Sequence, residues 1–143
     1  MFLVLPFLVV DQPWYFILLG FVILHFVEGM TLALVFQLAH VVEEAQFPEP
    51  NDEGKLEDTW AVHQLRTTAN FARKSWLANF ICGGLNFQIE HHLFPAICHI
   101  HYTRIAPIVK QTASEFGLPY HEAKTFGGAL MSHIRIMQRL GTA

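Results

Sequence analysis

Read from its amino terminus, the chain sets long apolar runs between short polar breaks, and the breaks mark out its elements. Met1 to Val10 is apolar throughout and stops at Asp11-Gln12-Pro13. A helix of that length rises about 15 Å, half of a hydrocarbon core of about 30 Å, so it does not span a bilayer alone. A basic n-region and a small-residue cleavage site are absent, which argues against a signal peptide. The expectation is the second half of a transmembrane helix cut at Met1, with Asp-Gln-Pro as a hairpin turn. Trp14 to about Val42 is the clearest span: its helix would run about 44 Å, so the last two or three turns, which carry His40, emerge into water. Trp14 and Tyr15 fit an aromatic belt where that helix meets the membrane surface. Within the span, His25 and Glu28 lie three apart and share a face, and a mutually satisfied pair packed against other helices is expected of them.

After Val42 the pattern turns polar. Gln46 to Thr59 reads as a solvated loop, and the acidic run from Glu43 to Asp58 as a solubilising surface. Trp60 to Lys74 suits a polar helix, with His63 either on its surface or behind a site without ligating there. Ser75 to Phe87 is apolar but short for a span, which favours an interfacial or buried segment; Gly83-Gly84 permits a break or close packing after it. A short helix follows from Gln88, which Pro95 ends. His99 and His101 are two apart, cannot face one ligand from a helix, and are read as loop or cap residues. Thr103 to Phe116 places Ile105, Ile108, Val109, Thr112 and Phe116 at helical spacing, with Gly117 as the C-terminal cap. Phe126 to Leu140 forms a second amphipathic helix, with Arg135 and Arg139 on its polar side and His133 on the surface. The fold class is an all-α membrane protein: the end of one transmembrane helix, one long transmembrane helix, then a cytoplasmic helical cap. Residues 1–42 form the transmembrane hairpin and residues 43–143 the cytoplasmic region.

Composition narrows the class. An apolar content of 52%, a mean hydropathy of +0.33 and thirteen Phe in 143 residues lean toward a membrane protein of one domain. A net charge of −3 excludes a nucleic-acid surface, which needs clustered Lys and Arg. All nine Lys and Arg follow the long apolar run, so the positive-inside rule assigns the bulk of the chain to the cytoplasmic side. On that side Cys82 and Cys98 are expected as thiols.

The candidate chemistry sits in Gln88-Ile89-Glu90-His91-His92-Leu93-Phe94-Pro95. On a helix, Gln88, His91 and His92 project together while Glu90 points elsewhere. Two imidazoles and an amide suit iron, copper, zinc or nickel without choosing among them, and further ligands must come from elsewhere.

Gly83-Gly84-Leu85-Asn86-Phe87 followed by this octapeptide resembles the third histidine box of the membrane fatty acid desaturases, in the form with Gln at the first His position. That form is typical of front-end desaturases, and the likeness leans to the delta-6, linoleoyl-CoA-like type. Ala39-His40-Val41-Val42-Glu43 resembles the family's isolated His after its last span, Trp60, Gln64, Thr67, Thr68, Asn70 and Phe71 its following segment, and Ile105 to Lys110 with Gly117 to Tyr120 its tail. The family's HxxxH and HxxHH boxes are not found here, so the chain resembles the C-terminal portion of such an enzyme. The resemblance implies a non-haem diiron centre of two iron ions, with His40, His91 and His92 as ligands and Gln88 as a ligand, a water holder or an orienting group. Some acyl-CoA members carry an amide four residues before the isolated His, where this chain has Phe36 with Gln37 next to it. Also implied are O2, an acyl-CoA or acyl-lipid substrate, the lipid bilayer, and cytochrome b5 or ferredoxin as electron donor. The alternatives are a related diiron hydroxylase, a membrane haem protein with histidine axial ligands, and a non-catalytic remnant or accessory subunit.

Overall fold

The computed structural model describes residues 2–142. They form two compact units that divide between Leu34 and Val35. The first holds α1 (Val4–Val9) and most of α2 (Trp14–His40). Helix α1 closes where the Val10 amide donates to the Pro6 carbonyl, and the Pro13 carbonyl opens α2 by accepting from Phe16, each at 2.9 Å. Helix α2 has 27 residues, and only Val35, Leu38 and Ala39 near its end are buried. Up to Leu32 most of its large apolar side chains are exposed, among them Leu19, Val22, Phe26 and Leu32. It is long and apolar enough to cross a membrane, and an all-round apolar surface is what a lipid-facing helix carries. His25 and Glu28 pair as expected, Nδ1 to Oε2 at 3.1 Å.

The second unit is mostly helical: α3 (Trp60–Thr67), α4 (Trp76–Ile81), α5 (Gln88–Leu93), a 3-10 turn at His99–His101, α6 (Tyr102–Glu115) and α7 (Phe126–Thr142). One short strand pair joins the expected helices. The polar helix stops at Thr67 because Thr68 turns extended (φ −125, ψ 153) and its hydroxyl bonds back to the Gln64 carbonyl at 2.6 Å. The next residues form β1 (Ala69–Phe71), which pairs in parallel with β2 (His121–Ala123), Ala69 opposite His121 and Phe71 opposite Ala123. Helix α4 lies within the segment expected at an interface, is capped by Ser75 accepting from the Ala78 amide, and exposes Trp76, Leu77, Phe80 and Ile81.

Helix α6 buries a face that the sequence pattern picks out only in Val109 and the half-buried Ile105. Tyr102, Ala106, Val109 and Ala113 turn inward, whereas Ile108 and Phe116 are 65% and 74% exposed. Alanines let α6 approach its neighbours closely where Ile or Phe would hold it off. Its end is a Schellman motif with Gly117 at φ 64: the Gly117 amide bonds the Ser114 carbonyl and the Leu118 amide bonds Ala113.

Two further expectations change at α7. Glu43 and Glu44 are anchors rather than part of a solubilising surface. Arg135 and Arg139 both clasp Glu43, and the Ser132 hydroxyl accepts from the Glu43 amide while donating to Glu44. His133 is half-buried, with Nδ1 donating to the Val41 carbonyl at 2.7 Å. These bonds tie α7 to the residues that follow α2 and so brace His40.

Between α4 and α5 the backbone turns through Gly83 (φ 56) and Gly84 (φ 84), and a Cβ at Gly84 would lie 2.5 Å from the His99 Cβ. Gly84→Ala is expected to destabilise the protein by about 3 kcal/mol through clash and backbone strain together. Gly83→Ala meets open space and should cost only about 1 kcal/mol. Thermal unfolding of the two variants in detergent checks the difference.

Candidate metal centre

Two elements deliver the site. Helix α2 ends on His40, and α5 begins on Gln88. Because α5 is helical, Gln88 and His92 lie one turn apart on one face. The Gln88 amide nitrogen is 3.1 Å from His40 Nε2 and 3.2 Å from His92 Nε2, close enough to donate to both. The His40 and His92 rings meet edge to face with centroids 5.1 Å apart.

Gln88 is 2% exposed, and its carbonyl oxygen is buried without a partner. Turning the amide over would place the oxygen between the two imidazoles and orphan the nitrogen instead. Either way one polar atom lacks the partner that buried groups normally have, a demand that a cation or water held there would meet.

His91 joins the cluster differently. Its ring centroid is 5.7 Å from that of His92, while its Nδ1 lies 3.4 Å from the Tyr102 hydroxyl. The structure therefore brings His40, Gln88 and His92 into contact and sets His91 beside them against α6. Among the described residues, no group of three His, Cys, Asp or Glu side chains is arranged to hold a metal ion. The donors present fit iron in kind, since neutral imidazole suits it, and are fewer than two iron ions require.

Burial, with smaller contributions from His40 and His91, pushes the His92 imidazole down to about 4. It is neutral at pH 7 with its lone pair available, as a metal ligand must be. The unfolded chain takes up this proton near pH 6.5 and the folded one only near 4, so the contribution to stability is full above 6.5 and is lost as the pH falls toward 4. Melting curves of the metal-free protein should fall across that window, and less steeply in His92→Gln.

A polar network sets the roll of α5. The Asn70 amide donates to Glu90 Oε2 and to the Tyr120 hydroxyl, each at 2.8 Å, while the Tyr120 hydroxyl donates to Glu90 Oε1 at 2.7 Å. Asn70 Oδ1 accepts from the Ile89 amide at 2.9 Å. Asn86 holds the approach to α5 by donating to the Phe71 carbonyl and to Asn79 Oδ1. Glu90 thus points away from the imidazoles, as helical geometry expects, into a fully buried site. Sequence reasoning assigned no role to Asn70, Glu90, Tyr102 or Tyr120, although Asn70 and Tyr120 carry part of the resemblance.

The remaining candidates lie apart from this contact. His99 and His101 form the expected turn, and Cys82 and Cys98 are both free. His63 is half-buried, with Nδ1 unpartnered.

Comparison with known proteins decides the family. The fatty acid desaturase family model matches residues 1–124. The chain belongs to the fatty acid desaturase family. It is 43% identical over 128 residues to an sn-1 linoleoyl-lipid 6-desaturase of Synechocystis sp., covering 89% of this chain and 36% of that protein. An acyl-lipid (8-3)-desaturase of Physcomitrium patens is 46% identical over 115 residues, covering 80% of this chain and 24% of the relative. A second sn-1 linoleoyl-lipid 6-desaturase, from Arthrospira platensis, is 41% identical over 139 residues, 97% of this chain and 37% of the relative. These relatives are of the front-end type. The chain spans between about a quarter and somewhat over a third of their length. No solved structure shows a significant match.

Proposed function

We propose that this chain is the C-terminal, metal-binding part of a front-end acyl desaturase that acts on an acyl chain carried by coenzyme A or by a lipid. Two hydrogens leave adjacent methylenes as a double bond forms, and O2, two electrons and two protons become two waters. The observation that carries this reading is the convergence of His40 and His92 Nε2 on the buried Gln88 amide, in a chain of this family. His40, His91 and His92 would hold non-haem iron, and Gln88 would ligate it, hold a water or orient the imidazoles.

When bound, such a centre supplies an O2-derived oxidant strong enough for an unactivated methylene, which side chains alone do not provide. The chain's own part is to keep His92 neutral, to fix both Nε2 atoms through Gln88, and to lock α5 through Glu90, Asn70 and Tyr120. The other ligands would come from the family's two earlier histidine boxes, and electrons from cytochrome b5 or ferredoxin. Residues 1–42 would form the transmembrane hairpin, with 43–143 and the site on the cytoplasmic side, a sidedness supported by the Lys and Arg distribution.

The test is the full-length protein in a host that lacks its product, with fatty acids read by gas chromatography. A new unsaturated acid is expected. A hydroxylated acid would select the hydroxylase instead, and unchanged acids alongside an iron-loaded protein would overturn the proposal. The small donor set favours one other reading, an accessory or remnant chain. An immunoblot of source membranes separates the two: a native band at 16.3 kDa selects the accessory chain and a much larger one the enzyme.

A further inference from the structure

A second polar site lies on the other side of Tyr120. A cavity of about 490 Å³ is lined by Arg73, Lys74, Lys110, Tyr120, Glu122 and Lys124. Four of the chain's nine cations gather there around one of its twelve carboxylates, which leaves five cations against eleven carboxylates elsewhere in a chain of net charge −3. The concentration of positive charge is therefore local, and it opposes the average of the molecule.

The floor of the cavity is built. Arg73 is largely buried and donates through Nε and Nη2 to the two Glu122 oxygens at 2.8 and 2.6 Å. Its guanidinium lies 5.6 Å from the Tyr120 ring centroid, and Lys110 Nζ stands at the same distance while also bonding Glu122 at 3.1 Å. Glu122 is thus shared by two cations. Lys74 and Lys124 are exposed at the rim and form no ion pair among the described residues. Each rim lysine stands two residues before an exposed aromatic side chain, Trp76 at 77% and Phe126 at 39%. Beyond Trp76 the outward face of α4 continues with Leu77, Phe80 and Ile81.

A concave cluster of cations with an excess of three charges, bordered by apolar surface, is complementary to an anion joined to an apolar chain. Arg and Lys donors supply the charge-assisted hydrogen bonds that phosphate oxygens take. The geometry points to a binding site for the phosphate of an amphiphile, with Lys74 and Lys124 closing on the phosphate, Arg73 and Lys110 beneath it, and the apolar part lying along α4. On the proposed function the amphiphile is the acyl substrate in its carrier, and that assignment rests on the desaturase reading while the binding does not. The phosphate comes from a phospholipid headgroup or from coenzyme A. Tyr120, a wall of the cavity, also bonds Glu90 on α5, the helix that carries Gln88, His91 and His92.

The test uses the full-length protein in phosphatidylcholine nanodiscs, titrated with coenzyme A in one series and, in the other, prepared with increasing phosphatidic acid carrying a fluorescent label. One probe is expected to bind saturably, and Lys74→Gln/Lys124→Gln to weaken it at least tenfold, while Arg104→Gln, which alters a cation outside the cavity, leaves it unchanged. Coenzyme A binding assigns a soluble carrier and phosphatidic acid binding a lipid headgroup. Failure of both probes, equal binding by the double variant, or binding only of an acidic protein such as cytochrome b5 overturns the site. Desaturation is read by gas chromatography on membranes of the expressing host, which supplies the electron donor, before the same protein is purified for the nanodiscs. Product without probe binding overturns the phosphate site alone, and probe binding without product overturns the enzymatic reading alone.

Discussion

His92→Ala in the full-length protein should lower the yield of unsaturated product at least about 100-fold, because losing a group that merely orients a metal ligand already costs about 10- to 100-fold. His92 contributes one of the two imidazoles that meet the Gln88 amide, and its burial keeps the ring neutral. Alanine removes the donor and frees the amide at once. His40→Ala should match it, since His40 holds the opposite side of the same amide at 3.1 Å. Gln88→Ala should fall less, about tenfold, if the amide orients the rings, and as far as His92→Ala if it binds iron. His99→Ala serves as the control, for His99 lies in a turn outside the contact. Product is measured by gas chromatography against the amount of protein in the membrane fraction. A His92→Ala enzyme within twofold of wild type, at equal abundance, would remove His92 from the site.

Glu90→Ala should cost about 3–5 kcal/mol of stability, the largest loss expected of any single change away from the imidazoles. Glu90 is fully buried and accepts from both the buried Asn70 and the half-buried Tyr120, so its removal takes the acceptor from two donors at once. Burial raises the Glu90 carboxyl, an effect its bonds to Tyr120 and Asn70 oppose. Glu90→Gln keeps an acceptor for Asn70 and presents its amide nitrogen to the Tyr120 oxygen, so about 1 kcal/mol is expected for it. Melting temperatures of both variants in detergent separate the two cases. Equal melting of Glu90→Ala and wild type would show that α5 is held by its apolar contacts alone, chiefly Ile89 packed with Leu65, Val109 and Ala113.

Some of this was open to inspection in the amino-acid order. The long helix from Trp14 to His40, the glycine break before α5, the cap at Gly117 and the helix beginning at Phe126 each follow from a local signal, and local signals are carried by consecutive residues. So does the shared face of Gln88 and His92, which needs only helical periodicity. The strands were not visible, because three residues are too few to show alternation and each strand forms only against a partner far along the chain. On α6 the apolar spacing marked Ile108 and Phe116, yet the buried face is built on Ala106 and Ala113; periodicity reports where apolar side chains recur and not which of them a neighbour covers.

The same division runs through the candidate site. Residue types and helical spacing were enough to nominate an imidazole and amide cluster, to turn Glu90 away from it, and to place the chain, through its motifs, among the desaturases. That His40 meets Gln88, that His91 turns to Tyr102, that Asn70 and Tyr120 close on Glu90, and that four cations gather around Glu122 were decided by tertiary packing alone. The reason is physical. A helix dictates which of its own residues share a face, but contacts between elements depend on how their faces pack, and that is a property of the whole fold.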